Sequence, residues 1–306
     1  NMSKHIAVLS NPRAGKGRGR SAAETTISVL QGRGAEVRAY AGSSAAETVE
    51  LAVQALREAP SLLVIVGGDG TLSEILDPVL AGEVPMALVP AGTGNDLARA
   101  LGIPRDDPAA AALIALTGVV QTIDVGAVHS GGTTRHFLTV AALGFDAKVS
   151  DRTNRLRWPH GVLRYYLALI IELLRLRPVA FTTAVDDEPT ESSPGTLIAV
   201  GNTASYGGGM PICRGADPSD GLLDVVHVAP LKRLQLLRLF PLLLRGEHLS
   251  RAEVTHRRVS QIRVSAPGLT AYADGEFVAA EECTITAQAA RLRMMVPRPT
   301  DTQEAP

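Results

Sequence analysis

The chain has 306 residues, 45% of them hydrophobic, with 30 Lys and Arg against 31 Asp and Glu for a net charge of −1. That length and a mean hydropathy of +0.13 supply core for two ordinary domains, while the balanced charge argues against wholesale nucleic-acid binding and leaves only local basic patches to explain. Cys213 and Cys283 stand far apart and in no metal spacing, so buried free thiols in a reducing, cytoplasmic compartment are expected rather than a disulfide framework or a zinc site.

At the start, Met2-Ser3-Lys4-His5 leads directly into the apolar run Ile6-Ala7-Val8-Leu9, with no signal segment expected. That run enters a glycine-rich loop, Asn11-Pro12-Arg13-Ala14-Gly15-Lys16-Gly17-Arg18-Gly19-Arg20, which carries four cations suited to phosphate. A second strand is expected from Glu36, then a helix announced by the capping box Ser44-Ala45-Ala46-Glu47. The run Leu62-Leu63-Val64-Ile65-Val66 ends in Gly67-Gly68-Asp69-Gly70-Thr71, with a helix expected from near Leu72. A strand that ends in glycines and opens a helix brings bare N–H groups to a phosphate. Asp69 adds a carboxylate able to hold Mg²⁺ or to take a proton from an attacking hydroxyl. A plain turn remains the competing reading, since glycine and aspartate are what turns prefer.

The pattern repeats after Met86-Ala87-Leu88-Val89, where Gly92, Thr93, Gly94 and Asn95 precede Asp96, and Asn95 or Asp96 can cap the following helix. Asp107-Pro108 marks another helix start, and a strand from Val119 leads to Asp124. Strands alternating with helices predict a mainly parallel sheet whose ligand site lies at the strand carboxyl ends, where all three glycine loops fall. Two common nucleotide signatures are absent. A hydroxyl residue should follow Lys16 in a Walker loop but Gly17 does, and Arg20 stands where the dinucleotide fingerprint needs its last glycine.

Beyond Gly126 the texture changes. Gly131-Gly132 turns between two apolar stretches, and Val179 to Val185, Leu197 to Val200, Leu222 to Val228, Val259 to Val264 and Thr284 to Thr286 read as strands of an antiparallel sheet. Two segments mix cations with apolar residues: Arg152 to Arg177, around Trp158, Tyr165 and Tyr166, and Leu231 to Arg245. Each suits an anionic membrane surface or a core helix with a wet basic edge. The apolar stretch from Tyr165 to Leu174 is too short to span a bilayer. Asp217-Pro218-Ser219-Asp220-Gly221-Leu222 is an acidic turn, and Asp274-Gly275-Glu276 is either a hairpin or a functional acidic pair. The tail from Pro297 is expected to be disordered. There is no His-Glu-x-x-His and no Gly-x-Ser-x-Gly, which leaves zinc and serine hydrolysis without support.

In Asn11-Pro12 with Gly15, Gly67 to Thr71, Gly92 to Arg99 and Asp274-Gly275-Glu276, in that order, the chain resembles the diacylglycerol kinase catalytic-domain family, and most closely its soluble bacterial two-domain lipid kinases. The resemblance implies an α/β N-terminal domain like that of phosphofructokinases and NAD kinases over 1–127. A β-rich C-terminal sandwich over 128–287 and a closing segment, 288–306, returning to the first domain would follow. It implies ATP and Mg²⁺ as cofactors, a diacylglycerol-like lipid as substrate, and peripheral association with the inner face of a membrane; oligomeric state stays open, a homodimer included. ATP would be held by Asn11, Arg13, Gly15, Lys16, Gly67, Gly68, Gly70, Thr71, Gly92, Thr93 and Asn95. Asp69 would act as base or metal ligand, and Glu276, with Asp274 close by, would reach the triphosphate end through metal. Asp96 and Asp124 would join one acidic network, and Asp220 with the carbonyls of Asp217 and Leu222 would hold a structural Mg²⁺.

Overall fold

The computed structural model describes residues 5–144, 152, 155, 156, 163, 164, 167, 168, 171, 175 and 177–299. The expectations for Met2 to Lys4, for Trp158, Tyr165 and Tyr166, and for the tail from residue 300 lie outside the described residues. The chain divides into two compact units, Asn1–Thr122 with Leu292–Pro306, and Ile123–Arg291, against expected breaks after residues 127 and 287.

In the first unit, strands β1 (Ile6–Ser10), β2 (Val37–Ala41), β3 (Leu62–Gly67) and β4 (Met86–Pro90) are all parallel, in the order β2-β1-β3-β4. Met294 adds the end of the chain beside Met86 of β4, also parallel. Helices α1 (Arg18–Gly32), α2 (Ala45–Arg57), α3 (Asp69–Leu80), α4 (Asp96–Leu101) and α5 (Pro108–Thr117) connect them, α1 packing on α5 and α2 on α3. Every residue of β1, β3 and β4 is buried, as a sheet covered on both faces requires. Helical crossovers carry the chain outward from β1 to β2 and then back over to β3. The direction therefore reverses between β1 and β3, and the crevice at their carboxyl ends is where such a sheet binds ligands.

Local signals set the helix starts. Ser44 Oγ accepts from Glu47 N at 3.2 Å, and the Asp107 carboxylate accepts from Ala110 N at 3.0 Å, both as expected. The return half of the capping box differs, since Glu47 accepts from Ser43 instead of Ser44. Helix α3 begins at Asp69, not near Leu72, so Asp69, Gly70 and Thr71 form its first turn.

The second unit is antiparallel. Its strands are the later part of β5 (Val119–Ser130), then β6 (Thr133–Phe137), β7 (Val140–Gly144), β8 (Thr182–Val185), β9 (Glu191–Ser192), β10 (Leu197–Gly201), β11 (Leu223–Val228), β12 (Val254–Val259), β13 (Gln261–Ala273) and the earlier part of β14 (Glu276–Val296). The main order is β12-β11-β10-β7-β13-β14. Leu197 and Ala199 of β10 pack into a cluster with helix α6 (Arg233–Arg245), while Ile198 and Val200 pack into a second cluster, so this sheet too is buried on both faces. The run expected as one strand from Val259 to Val264 is two strands parted at Ser260, whose N and Oγ both donate to the Asp186 carboxylate. The three residues expected at Thr284 to Thr286 belong to a 21-residue strand. Cys213 and Cys283 are buried and unbonded to each other, and burial pushes the Cys283 thiol up to about 12. No helix among the described residues is long and apolar enough to cross a membrane.

Candidate functional site

The three glycine loops meet at the carboxyl ends of β1, β3 and β4. Asn11 N donates to Val66 O at 3.1 Å, and Ala91 N donates to Gly67 O at 3.0 Å, which laces the first loop to the second and the second to the third. Glycine is required by contact at each meeting point. A Cβ on Gly92 would sit 2.5 Å from Gly68 Cα, one on Gly68 would sit 2.9 Å from Gly92 Cα, and one on Gly15 would sit 2.1 Å from Ala91 O.

The first loop is held in an uncommon shape. Gly15, Lys16 and Gly17 are all left-handed, with φ of 57°, 62° and 93°. Asn11 Oδ1 accepts from Arg13 N at 3.1 Å and fixes the turn's entry. Arg18, expected among the phosphate cations, donates instead to Gly15 O at 3.1 Å and to Gly92 O at 3.0 Å, stapling the first loop to the third. Arg13, Lys16 and Arg20 remain exposed around a cavity of about 630 Å³, whose opposite wall is Ala41, Gly42 and Ser43 at the end of β2. Gly42 and Ser43 were not among the residues the sequence singled out. Their signal is positional: Ser43 directly precedes the cap of α2, so this is a fourth strand-to-helix loop on the same edge.

Asp69 has a role that its neighbours in sequence do not reveal. Its Oδ2 accepts from Asp96 N at 2.6 Å and its Oδ1 from Leu97 N at 3.1 Å, so it caps α4 from another element. The cap expected from Asn95 or Asp96 is therefore supplied by Asp69. Asn95, left-handed at φ 53°, folds its amide onto Gly92, accepting from Gly92 N and donating to Gly92 O, both at 3.0 Å. Asn95 thus shapes the loop. Asp96 is buried and pairs with Arg99 at 2.5 Å. Around this frame, the Gly70 and Thr71 amides in the first turn of α3 and the exposed Thr93 face where an anion could sit.

Asp124 falls in the second unit and has its own partners there. Its carboxylate accepts from Gly221 N at 2.7 Å and Ala290 N at 2.8 Å, and its N donates to Pro218 O at 2.6 Å, so it clamps the acidic turn. Within that turn Asp217 accepts from Ser219 N at 2.8 Å, and Asp220 Oδ1 from Leu222 N at 2.9 Å. Burial first, and then the charges of Asp224, Asp217 and Asp124, hold the Asp220 carboxyl above the usual range. Among the described residues no three His, Cys, Asp or Glu side chains are grouped to hold a metal. One carboxylate with main-chain carbonyls is still an all-oxygen donor set that fits Mg²⁺ retaining several waters.

Asp274 and Gly275, with φ of 50° and 83°, form the two-residue hairpin between β13 and β14, closing the pair Ala273 and Glu276. The Asp274 carboxylate accepts from Leu138 N at 2.9 Å, Thr139 N at 2.8 Å and Thr139 Oγ1 at 2.5 Å, which ties the β6–β7 connection to the hairpin. The Glu276 side chain is exposed and makes no hydrogen bond or ion pair with another described residue.

Comparison with known proteins agrees with this layout. A family model described as the diacylglycerol kinase catalytic domain matches residues 5–128, and one described as a YegS C-terminal NAD kinase beta sandwich-like domain matches residues 139–296. The chain is 41% identical over 294 residues to a diacylglycerol kinase of Mycobacterium tuberculosis H37Rv, covering 96% of this chain and 95% of that protein. Its fold is similar to that of a putative diacylglycerol kinase from Bacillus anthracis Sterne, with TM-score 0.77 at 21% identity over 97% of this chain and 98% of the other. An NAD kinase from Archaeoglobus fulgidus, solved in complex with ATP, is more distant, with TM-score 0.53 at 15% identity over 95% and 93%.

Proposed function

This chain belongs to the diacylglycerol kinase catalytic-domain family, and from that premise we propose that it transfers the γ-phosphoryl group of ATP, with Mg²⁺, to the hydroxyl of a diacylglycerol-like lipid, giving a phosphatidate-like product. One observation carries the reading: three separate glycine turns converge at the reversal point of a parallel sheet, beside an open cavity edged by Arg13, Lys16 and Arg20.

In this reading the amides of Gly67, Gly68, Gly70, Thr71 and Thr93 hold the triphosphate, Gly92 and Asn95 shape the third loop around it, and Asn11 and Gly15 keep the first loop against it. Arg13 and Lys16 supply the cations. Phosphoryl transfer asks little covalent work of a protein, and positioning with charge neutralisation supplies most of the acceleration. Mg²⁺, when bound, would neutralise charge developing on the transferred group, and Asp69 and Glu276 are the carboxylates proposed to face it. Asp69 also fixes the third loop by capping α4, which joins its chemical and positional roles in one side chain. Asp220, with the carbonyls of Asp217 and Leu222, would hold a separate structural Mg²⁺. We place the protein in the cytoplasm, working at the inner face of a membrane.

The alternatives are an NAD kinase-like small-molecule kinase and a nucleotide-binding regulator without turnover. The relative that is similar along the whole chain is named a diacylglycerol kinase, whereas the NAD kinase likeness reaches only the fold. The test is incubation with labelled ATP, Mg²⁺ and mixed micelles of diacylglycerol, sphingoid base, ceramide or polyprenol, beside NAD. Label in diacylglycerol supports the proposal. Label in NAD alone, or none above the Asp69→Asn control, overturns it.

A further inference from the structure

Helix α6 carries two apolar faces, and only one is used. Leu236 and Leu239 are buried against Val226, Val228 and Val254, with Leu243 packed on the same cluster. On the other side Leu234 is 58% exposed, Leu237 53% and Leu244 38%, with Pro241 also exposed. The spacing i, i+3, i+7, i+10 gathers these four on an arc of about 80° at 100° per residue. Arg233 borders the stripe on one side, Arg238 and Arg245 on the other, and Lys232 stands at the N-cap, with no acidic residue from Lys232 to Arg245.

A monomer gains nothing by holding three leucines in water, so the stripe calls for a partner that is apolar along its middle and negative along its margins. A second copy of this helix fails that requirement, because it would set four more cations against these four. The interfacial region of an anionic bilayer meets it, with acyl chains for the leucines and lipid phosphates at the level of the guanidinium groups. We infer that α6 lies in the surface of an anionic bilayer, its Leu234–Leu237–Pro241–Leu244 stripe at the acyl boundary. The choice of a lipid surface over an acidic protein groove rests on the lipid-kinase reading.

The test uses the full chain, sedimented with vesicles of phosphatidylcholine alone or mixed equally with phosphatidylglycerol. Binding to the anionic vesicles should exceed binding to the neutral ones by about tenfold or more and should weaken as salt is raised. Leu234→Ser with Leu237→Ser, and separately Arg238→Gln with Arg245→Gln, should each lower it by about tenfold. Both should leave the melting temperature and the phosphorylation of a monomeric short-chain diacylglycerol unchanged. Wild-type sedimentation by both variants, equal binding to neutral vesicles, or a dimer in light scattering that the leucine variant abolishes would each overturn the inference. Anionic-vesicle binding through α6 by a chain that phosphorylates no lipid supports the docking and overturns the kinase reading. Phosphorylation of short-chain diacylglycerol by a chain that ignores vesicles does the reverse.

Discussion

Asp69 concentrates what one side chain does here. Both of its oxygens are occupied by the amides that open α4, so replacing it removes a cap as well as a charge. Asp69→Asn is expected to cost about 1–2 kcal/mol in urea unfolding, because the new amide nitrogen cannot accept from a backbone N–H. Turnover on the lipid acceptor should fall by roughly 10²-fold or more. A variant as stable as wild type removes the capping role, and one that keeps its turnover removes the chemical one. Asp220 gives a second prediction, with a sign set by its raised pKa. A carboxyl raised in the folded state adds stability that is complete below its unfolded pKa and is lost as pH rises through the folded value. Asp220→Asn, which keeps an acceptor for Leu222 N, should therefore melt higher than wild type at neutral pH, with the gap closing as pH falls toward the ordinary aspartate range. Mg²⁺ should raise the wild-type melting temperature and leave the variant's unchanged. Glycines such as Gly67, Gly68 and Gly92 were legible in sequence because contact distance alone demands them. The Arg18 staple was not, since a guanidinium that reaches a carbonyl 74 residues away leaves no local pattern.

At the scale of elements, what could be read follows how each segment is buried. Strands covered on both faces, such as β3 and β10, show as unbroken apolar runs and were located within a residue or two. β13 alternates buried and exposed positions and β14 carries polar residues throughout, so each gave only fragments of its length. The hairpin joining them offered two readings, and the structure separates them by residue. Asp274 is a turn-former with three acceptor contacts, whereas Glu276 is exposed. Asp274→Ala should destabilise by about 2–3 kcal/mol, since it orphans two amides and a hydroxyl and puts alanine at a positive φ. Glu276→Ala should stay within about 0.5 kcal/mol of wild type in the same urea titration while abolishing turnover. Equal stability of the two variants would return Asp274 to the set of purely functional candidates.

For the whole molecule, the consequential feature is that the first unit is not one continuous stretch of chain. It takes residues up to Thr122, gives way to the second unit, and resumes at Leu292. The resumed stretch is core: Leu292 is 3% exposed, Met294 0% and Val296 6%, and Met294 sits in the sheet beside Met86. Burying three such side chains contributes about 5–9 kcal/mol, as much as the net stability of an ordinary domain. A chain ended at Arg291 should therefore lose the cooperative unfolding of its first unit, followed by calorimetry, although residues 5–128 that match the catalytic domain are all present. Among the described residues beyond Val296, Arg298 is bonded to the first unit, its Nε donating to Thr117 O at 2.8 Å. A chain ended at Pro299 keeps that bond and all three core residues, so its melting profile should overlay that of the full chain. If the Arg291 truncation also melts like the full chain, the last strand segment is an accessory to the first unit. If it does not, the three glycine loops depend for their platform on residues about two hundred or more positions away, a dependence that short-range periodicity cannot encode.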